Sequence, residues 1–156
     1  MRNFVMLGAA LVLASGAAWA QGKSEARLEV AEAAPFGKHL TDADGRALYL
    51  FTADKKGGSS SACADQCAQA WPPVTTQGQP ELASGLAKDK VGMIQRKDGA
   101  SQLTYDGHPL YHFAQDMKAG QTAGQDKKGF GGEWYLVAPD GTPIRSEQKA
   151  QTPESR

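Results

Sequence analysis

Cys63 and Cys67 are the only cysteines in the 156-residue chain, four positions apart in the stretch SSSACADQCAQAWPP. This stretch reads as one short helix. Ser60 or Ser61 can cap its start, and Trp71 before Pro72 ends it, because a residue preceding proline disfavours the α region. Residues four apart on a helix share a face, so the two sulfurs are within reach of each other. Three chemistries fit. In an oxidising compartment the simplest is a structural disulfide closing a very small loop, worth about 2 kcal/mol. The second is a redox-active pair, since a helix N-terminus lowers a thiol pKa. The third is soft-metal binding, with two thiolates holding Cu(I) alongside a third ligand from His39, His108, His112, Met93 or Met117. The spacing is neither Cys-x-x-Cys nor Cys-x-x-Cys-His, so the thioredoxin and c-type haem signatures are both absent.

The other reactive side chains are scattered. His108 and His112 fall on an expected strand, where four residues span about 13 Å, too far to share one ion. His112 reads as a partly exposed strand residue, and His39 stands alone. Asp54 and Asp116 each lie three residues past an aromatic, where a strand should end. A carboxylate there accepts backbone N–H bonds and shapes a loop. An acid/base or metal role would need the fold to bring the two together. The DADG run at 42–45 lacks the further acidic ligands of a calcium loop and reads as a hairpin turn. No phosphate loop, zinc-hydrolase helix or nucleophile elbow occurs. No catalytic residue, metal site or cofactor is assigned.

These residues are set on a β framework. Asp-Gly occurs at 44–45, 98–99, 106–107 and 140–141, each time between strand-like segments. Asp-Gly is a strong hairpin signal, because glycine accepts the positive φ of tight turns. At least seven short strands follow. The expected fold is all-β and mainly antiparallel, a compact barrel or sandwich with one short helix carrying the cysteine pair.

The framework is doubled. RALYLFTAD at 46–54 and HPLYHFAQD at 108–116 match 62 positions apart: Leu48 with Leu110, Tyr49 with Tyr111, Phe51 with Phe113, Asp54 with Asp116. Trp71 and Trp134 follow at nearly equal distances. Alternate strand residues share a face. Tyr49 and Phe51 therefore point one way and Leu48 and Leu50 the other, which predicts a central, buried strand. Two copies, about 37–75 and 92–144, must each complete the other's core.

The doubled Tyr-x-Phe-x-x-Asp phrase resembles the bacterial secreted-repeat family, predicted exported lipoproteins with a Tyr-x-(Phe/Trp/Tyr)-x-x-Asp motif and no known function. CADQCAQAWPPV at 63–74 is similar to that family's segment after the first copy, and AGQTAGQ…GGEWYLVAPDG to its segment after the second. The resemblance spans about 37–141. It implies export and repeat architecture, and no reaction or cofactor. This chain departs from the lipoprotein pattern by having no lipid-accepting cysteine near its start.

The ends fit export. Residues 1–20 read as a signal peptide: Arg2, an apolar run over 4–13, and Ala18-Trp19-Ala20 as the cleavage signal, placing cleavage after Ala20. The apolar run is short for a bilayer span, and no second one follows. Residues 21–35 read as a flexible linker and 145–156 as a disordered tail, leaving a single domain over 36–144. Removing Arg2 leaves 16 basic against 17 acidic side chains. That balance argues against a nucleic-acid partner. The expectation is an exported envelope protein, periplasmic or secreted, acting as a non-enzymatic module that binds an envelope protein or a small ligand. The alternative is a periplasmic thiol-redox or copper-handling protein using Cys63 and Cys67.

Overall fold

Hairpins set the chain's course. The computed structural model describes residues 26–146. Nine strands run in chain order: β1 (Arg27–Ala33), β2 (Gly37–Thr41), β3 (Tyr49–Phe51), β4 (Glu81–Leu82), β5 (Val91–Gln95), β6 (Ser101–Tyr105), β7 (His108–Pro109), β8 (Lys127–Gly129) and β9 (Gly132–Leu136). Helix α1 (Gln66–Ala70) lies between β3 and β4, and a 3-10 turn (Lys88–Lys90) precedes β5. All four Asp-Gly turns hold glycine at positive φ. At Gly141 the demand is twofold: φ is +91°, and a Cβ there would meet Cβ of Asp106 at 2.2 Å.

The strands form three three-stranded sheets, ordered β2-β1-β4, β3-β9-β8 and β5-β6-β7. All pairings are antiparallel except β1 with β4. The fold is thus mainly antiparallel β, as expected, but no sheet closes into a barrel. Short strands and isolated bridges join the sheets instead, including Tyr49 with Tyr111 and Thr75 with Gln102.

Two expectations need correction. Residues 21–35, read as a flexible linker, contain β1, whose Leu28 is fully buried. The segment RLEVAEA alternates only over 27–30, and its alanines and glutamates carry low strand propensity. The helix also starts later than expected. It covers Cys67 but not Cys63, because Asp65 sits at φ 52°, outside the helical region. Ser61 therefore does not cap the helix. Its Oγ accepts from the Cys63 N–H at 2.9 Å and shapes the loop before it.

The predicted facial split of β3 is present. Leu48, Leu50 and Leu110 pack in one apolar cluster with Leu28, Leu40, Leu103 and Val137. Tyr49, Phe51, Tyr111 and Phe113 pack in a second with Trp71, Trp134, Cys63 and Cys67. Alternation along residues 48–51 and 110–113 thus builds two cores back to back.

Candidate functional site

The second cluster holds most of the residues singled out by type. At its centre the two copies meet: Tyr49 N–H donates to Tyr111 C=O and Tyr111 N–H to Tyr49 C=O, both at 2.9 Å. The side chains then cross over. Tyr49 Oη donates to Asp116 Oδ2 at 2.5 Å, and Tyr111 Oη to Asp54 Oδ2 at 2.6 Å. Each tyrosine thus binds the aspartate of the other copy. The remaining carboxylate oxygens are filled as well: Asp54 Oδ1 accepts from Ala62 N–H at 2.6 Å, and Asp116 Oδ1 from Ala123 N–H at 2.9 Å. Gly124 N–H reaches Tyr49 Oη, and Ser61 Oγ pairs with Tyr111 Oη.

The rings repeat the crossover. Phe51 stacks on Trp134 at 4.1 Å, Phe113 on Trp71 at 4.3 Å, and the two indoles stack at 3.9 Å with planes 1° apart. Tyr49 meets Trp71 edge-on, as Tyr111 meets Trp134. Strand register sets this up, since Phe51 lies opposite Trp134 across β3 and β9. Burial, followed by the neighbouring carboxylates, pushes both phenols far above their ordinary values. They stay protonated and act as donors at any physiological pH. Burial also raises Asp54, against the opposing pull of its bonds from Tyr111 and Ala62. The four groups are therefore committed to one another and hold two loops in place.

Cys63 and Cys67 form a disulfide with Cα atoms 5.2 Å apart. Both are buried, at 0% and 5% exposure. Residues 60–65 and 95–98 line a cleft of 520 Å³ beside this loop. Arg96 forms part of its wall with a side chain only 6% exposed. Its Nη1 donates to Gln102 Oε1 and its Nη2 to the Cys63 carbonyl, both at 2.7 Å. Its Nε lies buried without a hydrogen bond, 3.7 Å from the Asp98 carboxylate. Neither Arg96 nor Gln102 is conspicuous in the sequence. Arg96 sits next to an exposed Asp-Gly turn, where a solvated charge is the ordinary expectation.

The structure does not gather the histidines and methionines around the sulfurs. His39 is buried, with Nδ1 on the Gly37 carbonyl. His108 starts β7 and is half-buried, and burial and then Lys56 lower its pKa. His112, expected on a strand and partly exposed, lies outside the named strands, and Nε2 contacts Asp42 Oδ2 at 2.9 Å. Strand β7 ends at Pro109 because the chain past it bridges to Tyr49 and Pro73 instead. Met93 and Met117 are exposed. Among the described residues no group of three or more His, Cys, Asp and Glu is arranged to hold a metal ion. The DADG run is a hairpin turn, with Asp42 Oδ1 accepting from Asp44 and Arg46 N–H groups.

A family model described as a secreted repeat of unknown function matches residues 33–75 and 92–138, more than half of the chain. Its two matches fall on the two copies. No curated protein and no solved structure matches the chain. Among the described residues no helix is long and apolar enough to cross a membrane. The expected signal peptide, its cleavage point and the end of the tail beyond residue 146 lie outside the described residues.

Proposed function

We propose that this chain, which belongs to the secreted-repeat family whose model matches both of its halves, works in the cell envelope as an exported, non-enzymatic binding module. One observation carries the reading: the phenols, carboxylates and sulfurs of the central cluster are consumed internally. Both Tyr–Asp pairs have every carboxylate oxygen engaged, and both sulfurs are buried in a disulfide. A catalytic group needs a free lone pair or proton at a surface that substrate can reach. A rigid, doubled core is suited instead to presenting loops.

The cleft beside residues 60–65 is the binding surface in this reading. It offers the Ser60 hydroxyl, carboxylates from Asp65 and Asp98 and the Lys97 cation, while the buried Arg96 and the internally bonded Ser61 form its wall. Mixed polar groups of both charges suit a small zwitterionic or hydroxylated ligand rather than an apolar one. The competing reading, thiol exchange or Cu(I) handling at Cys63 and Cys67, requires sulfurs that reagents can reach, and burial opposes it.

An NMR titration of the mature protein with amino acids and small sugars separates these readings. Amide shifts concentrated at 60–65 and 95–98 support the module. Shifts absent or spread elsewhere remove the cleft from consideration. Stoichiometric, thiol-dependent Cu(I) uptake under mild reduction would replace the module reading with the metal one.

A further inference from the structure

The duplication gives β1 a counterpart in the second copy, and that counterpart is missing its cover. β1 pairs Val30 with Leu40, and β5 pairs Met93 with Leu103, 63 positions on, so β1 and β5 are equivalent. The outer edge of β1 is covered by β4 through Glu81 N–H to Ala26 C=O and Ala83 N–H to Leu28 C=O, both 2.9 Å. The equivalent covering residues in the second copy are Ile144 and Arg145. There the chain folds back instead: Pro143 bridges to Val137, and Ile144 N–H bonds the Leu136 carbonyl. β5 is left as the outermost strand of its sheet.

The hydrogen-bond parity of β5 follows from its ends. Asp106 N–H donates to Lys90 C=O, and Arg96 N–H to Ala100 C=O. Bonds to the partner strand alternate in an antiparallel pair, so 90, 92, 94 and 96 face β6 while 91, 93 and 95 face outward. Val91 N–H turns to the Lys88 carbonyl. That leaves the Val91 carbonyl and both backbone groups of Met93 and Gln95 unpaired among the described residues. Met93 is also 44% exposed. Natural edge strands are blunted by charge or proline. β1 carries Arg27, Glu29 and Glu32, whereas β5 reads VGMIQ with no charge.

We propose that β5 is the contact strand of a two-fold dimer of this chain, paired antiparallel with β5 of a second copy and centred on Met93. In that register the two Met93 residues exchange N–H and C=O, and each Gln95 N–H meets a Val91 carbonyl. Just beyond the strands, Lys97 of one copy lies opposite Asp89 of the other. Both residues are exposed, and neither has an ion pair among the described residues. Two-fold symmetry forms this match twice, so a strand that is neutral in itself gains charge complementarity at both ends.

The test is sedimentation equilibrium of the mature chain from about 10 µM to 1 mM, the range suited to a small interface. A monomer–dimer equilibrium is expected. Met93→Lys places like charges face to face and should raise the dissociation constant about tenfold or more. Lys97→Glu should weaken the dimer, and adding Asp89→Lys should restore it. Hydrogen exchange covers the case in which a variant misfolds: in the natural sequence the Met93 and Gln95 amides should gain protection as concentration rises. A chain that stays monomeric at the highest concentration, or a dimer indifferent to Met93→Lys, overturns the proposal. So does protection of these amides at every concentration that is lost when the chain is ended after Ser146, which would make the C-terminal segment the occupant.

Discussion

The crossed Tyr–Asp pairs predict a pattern of energetic coupling that no uncrossed arrangement would show. Tyr49→Phe removes the donor to Asp116 Oδ2 and the acceptor of the Gly124 N–H. A hydrogen bond to a charged group contributes about 1.5–3 kcal/mol, and an orphaned buried amide adds about 1 kcal/mol. The single substitution should therefore cost about 3 kcal/mol. Asp116→Ala also strips the Ala123 N–H of its acceptor, so its cost should be similar. In the double variant neither partner is left alone, and the two costs should fall short of additivity by about 1.5–3 kcal/mol. The control is the pair within one copy, Tyr49→Phe with Asp54→Ala, which should add to within about 0.5 kcal/mol. Urea unfolding with a shared slope reads all the variants. Coupling within a copy rather than between copies would refute the crossed assignment. Additivity in both pairs would mean that the short contacts contribute little.

Leu28→Ala should cost about 2–4 kcal/mol in urea unfolding, because Leu28 is fully buried in the first core; a neutral result would return β1 to linker status. Replacing both cysteines by alanine should lower stability by about 2 kcal/mol while the circular dichroism spectrum is kept, since the disulfide closes only a short loop. Gly141→Ala should cost about 3 kcal/mol or more, read by thermal melting, because φ is +91° and the new methyl meets Asp106. For Asp42, burial works against the charge, yet the His112 bond and the Arg46 and Asp44 amides hold its pKa below the ordinary 3.8. The unfolded chain therefore binds that proton more readily, so the stabilisation is complete above the ordinary value and lost as pH falls through the folded one. Asp42→Asn should flatten this part of the acid limb in urea midpoints measured from about pH 5 to pH 2.

Much of the framework was legible because turn chemistry and alternation are local. Asp-Gly marked four hairpins, and the Leu48/Tyr49/Leu50/Phe51 alternation separated two cores. The echo at 62 positions located the copies, and the family model matches both. What stayed hidden was set by tertiary context. Nothing in RLEVAEA outweighs the weak strand propensity of its alanines and glutamates, so only its pairing with β2 across a short turn and with the distant β4 reveals it as a strand. The start of α1 was misplaced because Asp65 adopts a left-handed conformation that an unbroken helical stretch does not signal. Which tyrosine binds which aspartate depends on strand order, and Tyr-x-Phe-x-x-Asp reads identically whether the bond closes within a copy or across to the other. Arg96 was missed because a charge beside a surface turn carries no local sign of burial.

The crossover makes each half of the duplicated domain depend on the other. Were each tyrosine bonded to its own aspartate, and each phenylalanine stacked on its own tryptophan, either half could keep its polar groups satisfied alone. Here Phe51 needs Trp134, Phe113 needs Trp71, and each phenol needs the other copy's carboxylate. A lone copy would bury a tyrosine without an acceptor and a carboxylate without its hydroxyl donor, at a penalty paid for each unmatched group. The central Tyr49–Tyr111 bridge closes over a long loop, so its entropy is recovered only when the crossed bonds form with it. Duplication thus left the two motifs alike in sequence, while the exchange of partners made each one's loop geometry depend on the other.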